Sequence, residues 1–70
     1  MKREYVITIT ASYDDLVETE TNLRRARKIA KDWLKDKDVK SVSIDRWTHD
    51  EFGEECIDDS FDEEYYDKED

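Results

Sequence analysis

Asp58, Ser60, Asp62 and Glu64 stand at every second place of an acidic stretch, and Glu69 is the twelfth residue counted from Asp58. That is the spacing of oxygen ligands in a calcium-binding loop. Two departures weaken the match. Glu63 occupies the place where such a loop needs glycine for its sharp turn, and no room for an exiting helix is expected after Glu69. The run therefore reads as a solvated acidic tail, and no metal or cofactor is expected. His49 and Cys56 are the remaining ligand types, and two of them fall short of the four a structural zinc site takes. A histidine in a turn and a cysteine in a strand explain them. Nucleophilic catalysis through the same pair is equally thin, because 70 residues leave no substrate pocket once a core is built. With no glycine-rich loop for a nucleotide, the expectation is a protein that is not an enzyme.

Charge is the stronger signal. The formal net charge is −9, and its distribution is uneven. Residues 1–20 carry −3, residues 21–37 carry +5, residues 38–50 carry −1 and residues 51–70 carry −10. A basic segment thus lies beside an acidic end. Arg24, Arg25, Arg27, Lys28, Lys31 and Lys35 raise the possibility of a phosphate-binding surface. The ordinary solvated flank of an amphipathic helix, neutralised in part by the acidic end, is the favoured reading, with Arg24, Arg27, Lys28, Lys31 and Lys35 as a secondary basic face. Direct binding to nucleic acid or to an anionic membrane is not expected of so acidic a surface.

The acidic, aromatic-studded end is the better candidate site. Glu51, Glu54, Glu55, Asp58, Asp59, Asp62, Glu63 and Glu64 supply carboxylates, and Phe52, Phe61, Tyr65 and Tyr66, with Trp47, supply interface anchors. Carboxylates on a small rigid scaffold reproduce the phosphate charge of a duplex, about one per 1.7 Å of axis. A tail that only confers solubility is the competing reading.

The elements that must position these groups are few. Glu4–Ala11 alternates, with Tyr5, Ile7, Ile9 and Ala11 on one side and Val6, Thr8 and Thr10 on the other, and reads as a strand. Residues 12–20 read as a connection in which Leu16 and Val17 plug the end of the core. Thr21–Lys37 is an amphipathic helix with Leu23, Ala26, Ala30, Trp33 and Leu34 in one arc, widened by Ile29, and with Thr21 as its N-cap. A start near Asp14 behind Ser12 remains open, since Leu16 lies on the arc of Leu23. Val39–Thr48 is a second strand with Val42 and Ile44 facing the helix, and Trp47 has the opposite parity. Residues 49–53 form a turn around Gly53, and Glu54–Asp59 returns as a third strand with Cys56 and Ile57. The expected architecture is a small α+β single domain, βαββ over residues 1–59: a three-stranded sheet with the helix on one face. The strand–helix–strand crossover is expected to be parallel. Residues 60–70 follow as an acidic tail, disordered or forming a short helix from Ser60. Tyr5, Ile7, Ile9, Leu23, Ala26, Ala30, Trp33, Leu34, Val42, Ile44 and Ile57 form the expected core.

A lone cysteine, and the lack of a signal-peptide pattern or a membrane-length apolar run, point to a soluble protein of the cytoplasm. The uncovered sheet face and its edges predict a homodimer. At the level of class, a very small, acidic, cysteine-poor α+β chain with no catalytic motif resembles many phage-encoded proteins that inhibit host machinery, DNA-mimicking anti-restriction and anti-CRISPR proteins among them. The resemblance implies an inhibitor that acts in the host cell and blocks the basic groove of a nucleic-acid-binding protein. The alternative is a small homo-oligomeric adaptor or assembly protein that uses the open sheet face and the basic helix.

Overall fold

The computed structural model describes residues 2–68. Five strands and one helix follow the order β1 (Lys2–Ala11), β2 (Asp15–Glu20), α1 (Leu23–Leu34), β3 (Val39–His49), β4 (Glu55–Ile57) and β5 (Glu64–Asp67). They make one antiparallel sheet on which α1 lies, an α+β fold. No helix among the described residues is long and apolar enough to cross a membrane.

The sheet is larger than the three strands expected from sequence. Residues 15–20, read above as part of a connection or of an early helix, instead form β2, an edge strand of β1. A short turn reverses the chain, with the Ala11 N–H donating to the Asp14 carbonyl at 3.2 Å. Leu16 falls opposite Ile9 and packs against the core. Val17 points to the other face, where it is 63% exposed. A six-residue strand with Leu, Val and Thr has some of the composition for this, but its three acids mask the alternation.

That hairpin also overturns the expected parallel pairing. β1 and β3 are antiparallel, in register from Lys2 opposite His49 to Thr10 opposite Ser41, with a bulge between Thr10 and Ala11. Both β2 and β3 run antiparallel to β1, and so they run parallel to each other. The helix crossover thus does link two parallel strands, but they are β2 and β3, with β1 filling the gap between them.

Asn22, one residue after the expected Thr21, caps the helix, its side-chain oxygen accepting from the Arg25 N–H at 3.1 Å. The helix ends at Leu34 rather than Lys37, because residues 36–39 close a turn in which the Val39 N–H donates to the Asp36 carbonyl. Beyond it the Ser12 N–H donates to the Asp38 carbonyl at 2.8 Å, tying the two ends of the sheet's long strands. Gly53 has φ 84°, as the β3–β4 turn requires, and the Asp50 carboxylate accepts from the N–H groups of Phe52 and Glu54.

Ile7, Ile9, Ala11, Ala26, Ala30, Val39, Val42 and Ile44 are buried. Of the expected core, Tyr5, Leu23, Trp33 and Leu34 are half-buried at its margin. Ile57 is not in it; it is 53% exposed, because it pairs with Trp47 and shares that residue's outward parity. Val39 reaches the core although its parity differs from that of Val42, since the bulge beside it re-aims the strand end.

The acidic tail is the largest correction. Residues 64–67 are neither disordered nor helical; they form β5, which pairs with the first half of β3 while β4 pairs with the second half. Glu69 and Asp70, and with them the last place of the calcium-loop spacing, lie outside the described residues.

Candidate functional site

The acidic end is divided by the fold into groups that hold the sheet together and groups that face outward. Tyr5 opposes Arg46 in the β1–β3 register, and both project on the helix side, beyond the end of α1. That gap is filled by Phe61. Its ring meets Tyr5 edge-on at 5.6 Å between centroids, and the Arg46 guanidinium lies 5.2 Å from its centre. Arg46 also donates through Nε to Asp58 Oδ2 at 2.7 Å and through Nη2 to Ser60 Oγ at 3.0 Å. Asp58 accepts in addition from the Ser60 hydroxyl and N–H. These bonds from Ser60, and then the Arg46 charge, hold the Asp58 carboxyl below its ordinary range against the opposing effect of burial. Asp58 is thus a fastener for the chain leaving β4.

Glu64 has the same kind of task one strand later. It opposes Ile44 on the helix side and receives a forked pair of bonds from Arg27 of α1, Nε at 2.9 Å and Nη2 at 2.7 Å. The Arg27 bond lowers the Glu64 pKa, burial opposes it, and the Tyr66 hydroxyl adds to the lowering. Tyr66 packs on the core opposite Val42, and burial, then its bond to Glu64, pushes its phenol up. The Lys68 ammonium reaches the Asp36 carbonyl past the end of α1. Asp58, Phe61, Glu64 and Tyr66 therefore build the frame.

The other candidate residues face outward. Glu51, Phe52 and Glu54 are at the β3–β4 turn, where Phe52 is 86% exposed. Glu55 lies on β4, 3.5 Å from His49 Nδ1, while His49 Nε2 is 2.9 Å from Glu4. Asp59, Asp62 and Glu63 are exposed in the loop between β4 and β5, and Tyr65 is 63% exposed on β5. Among the described residues, Glu51, Glu54, Asp59, Asp62 and Glu63 take part in no ion pair. Nor do the described residues bring three or more of His, Cys, Asp and Glu together as a metal centre. Asp58 and Glu64 of the calcium spacing each turn to an arginine instead.

On the basic helix, Arg24, Arg27, Lys28, Lys31 and Lys35 line one shallow groove with Asp32. Arg27 is committed to Glu64 and Lys35 lies 3.6 Å from Asp32, which leaves Arg24, Lys28 and Lys31 outside any ion pair among the described residues.

Sequence reasoning passed over Arg46 and Glu18. Glu18, on β2, accepts from the Trp33 indole N–H. The signal for Arg46 was its parity with Val42 and Ile44, which put a cation on the core side of a strand where only a carboxylate partner makes it tolerable. Compared with protein-family profiles, curated proteins and solved structures, the chain matches none.

Proposed function

We propose that this chain is a non-enzymatic inhibitor of the phage type, which binds the basic nucleic-acid groove of a host defence or DNA-processing enzyme by presenting carboxylates in place of phosphates. The observation that carries the reading is the docking of β5 onto β3. The β3–β4 hairpin carries Glu51, Glu54 and Glu55, and the segment that β5 ties back onto β3 carries Asp59, Asp62 and Glu63, all of them exposed and, Glu55 excepted, in no ion pair among the described residues. Charges carried on an ordered backbone lose less conformational freedom on binding than those of a mobile tail. In this reading the protein acts in the host cytoplasm, on a partner in the anti-restriction or anti-CRISPR class of targets.

The test is competition. Protein immobilised through its N-terminus should retain a basic nucleic-acid-binding protein from a bacterial lysate, and added duplex DNA should release it. Glu51, Glu54, Asp59, Asp62 and Glu63 changed together to Gln or Asn should lower the retained amount at least tenfold, with the fold intact because Asp58 and Glu64 are kept. Retention that excess DNA leaves unchanged would rule the mimic out. It would favour the second reading, a small adaptor or homodimer that uses its uncovered sheet face and basic helix. The observation behind that alternative is the sheet itself, which has a helix on one face only.

A further inference from the structure

The uncovered face of the sheet has a definite composition. Strand alternation and the pairing registers set Val17, Thr8, Ser43 and Tyr65 in one row across β2, β1, β3 and β5. The row on one side holds Asp15, Thr10, Ser41 and Asp67, and the row on the other holds Thr19, Val6 and Asp45. Beyond that come Glu4, Trp47 and Ile57. The middle is therefore small and hydroxyl-bearing, with no long charged side chain except Asp45, and apolar groups stand at its margins. Asp15 and Asp67 mark two corners and Asp45 the interior, none of them in an ion pair among the described residues. Lys2 is the cation that the registers place on this face.

The opposite face shows what suits such a sheet. There α1 lays Leu23, Ala26, Ala30 and Trp33 on the strands, while its flanks reach carboxylates on both edge strands: Arg27 to Glu64 of β5, and the Trp33 indole to Glu18 of β2. A helix with an apolar stripe and hydrogen-bond donors on both flanks, one of them the cation of Arg27, is what this sheet holds within its own fold. We propose that the uncovered face docks a second helix of that chemistry, the Lys/Arg-flanked amphipathic helix of a partner protein, with its stripe along Val17, Thr8, Ser43 and Tyr65 and its cations on Asp15, Asp45 and Asp67. Strands of 6, 10, 11 and 4 residues, at about 3.3 Å per residue and about 4.8 Å between strands, give a face of about 500 Å², below the roughly 800 Å² each partner contributes to a standard interface and the size of a weak one. A second copy of this face is a poor occupant, because it would set carboxylates against carboxylates.

The proposal rests on the reading of a basic partner, and it fails separately from it. The probe is an 18-residue helical peptide of Leu and Lys with one apolar stripe, compared with a peptide of equal charge in which every Leu is Ala. In a two-dimensional NMR titration the Leu peptide should shift the amides of Thr8, Val17, Ser43, Asp45 and Tyr65 and bind at least tenfold more tightly than the Ala peptide. Ser43→Lys should weaken it at least tenfold, and Val17→Lys, at an exposed edge where folding is not at stake, should do the same. Shifts confined to residues 51–63, equal affinity for the two peptides, or parental binding by Val17→Lys would overturn the docking face. If the peptide docks here while DNA fails to displace the captured partner, the face stands and the mimicry falls. If DNA displaces the partner while the peptide shifts only the acidic loops, the reverse holds.

Discussion

The two faces of this sheet come from the same strands and differ by one residue of register. On β1, Ile7 and Ile9 are fully buried beneath α1, while Thr8 and Thr10, which alternate with them, face outward; on β3, Val42 and Ile44 alternate with Ser41 and Ser43 in the same way. One face is aliphatic and covered, and the other is hydroxyl-bearing, rimmed with carboxylates and open. The difference separates two uses of a small chain. The covered face supplies the burial that folding needs, at about 25 cal/mol for each Å² of apolar surface. The open face is released from that demand and is shaped by β-propensity and charge alone.

The largest test of the contrast is a pair of neighbouring substitutions. Ile44→Ala leaves a cavity between β3 and α1 and should destabilise the fold by ~2–5 kcal/mol, enough to unfold a domain of this size. Ser43→Ala, on the other side of the same strand, should stay within about 0.5 kcal/mol of the parent. Urea denaturation followed by far-ultraviolet circular dichroism measures both. Similar losses at the two positions would mean that the faces are not energetically distinct.

Much of the covered face was legible in the sequence. The period-two pattern of residues 4–11 and 39–48 and the helical arc from Leu23 to Leu34 each report on burial of one face, and burial is what hydrophobic pattern encodes. The edges were not. β2 was hidden because Glu18 and Glu20 occupy core-side positions of an edge strand, where one carboxylate reaches the Trp33 indole and the alternation breaks. β5 was hidden because Glu64 does the same, its charge met by Arg27, a residue 37 positions away. Local composition then reads as solvated tail, and no local rule can supply the distant partner. The candidate site suffered likewise. Its carboxylates and aromatics were named and Arg46 was not, and the division into frame (Asp58, Phe61, Glu64, Tyr66) and outward-facing groups depends on Arg27 and Arg46, which only the fold brings near.

Those two arginines give a pH-dependent way to sharpen the contrast. Asp58 and Glu64 have folded pKa values below their ordinary ones, so the folded state binds fewer protons there than the unfolded chain does. Their contribution to stability is fully present above the usual carboxylate range near 4, and it is lost as pH falls through the depressed folded values. Acid should therefore loosen residues 58–67 first, while β1, β3 and α1, held by aliphatic packing, persist. Followed by NMR from neutral pH downward, the ring signals of Phe61 and Tyr66 should broaden before the methyl signals of Ile7 and Ile44 move. Simultaneous loss would show that the tail is not a separately fastened element.

The smallest effect should come from making the open face resemble the covered one. Thr8→Val and Ser43→Val together exchange hydroxyls for methyl groups in the central row, without adding charge or bulk beyond a β-branched side chain. No helix packs over these positions, which are half-buried by their strand neighbours alone, so the added methyls lose only part of their contact with water on folding. The monomer's stability should accordingly change by no more than about 0.5 kcal/mol. The change should appear between molecules instead. At low salt, copies that approach through this face bring Asp15, Asp45 and Asp67 toward their counterparts, and the repulsion keeps them apart. At about 1 M salt the screening length falls to about 3 Å, and the added apolar surface is then free to associate. Sedimentation equilibrium should show the double variant monomeric at low salt and increasingly dimeric at high salt, with the parent shifted less. A gain of more than about 1 kcal/mol in monomer stability would mean that part of the fold already shields the row, and the two faces would then be less unlike than their residues suggest.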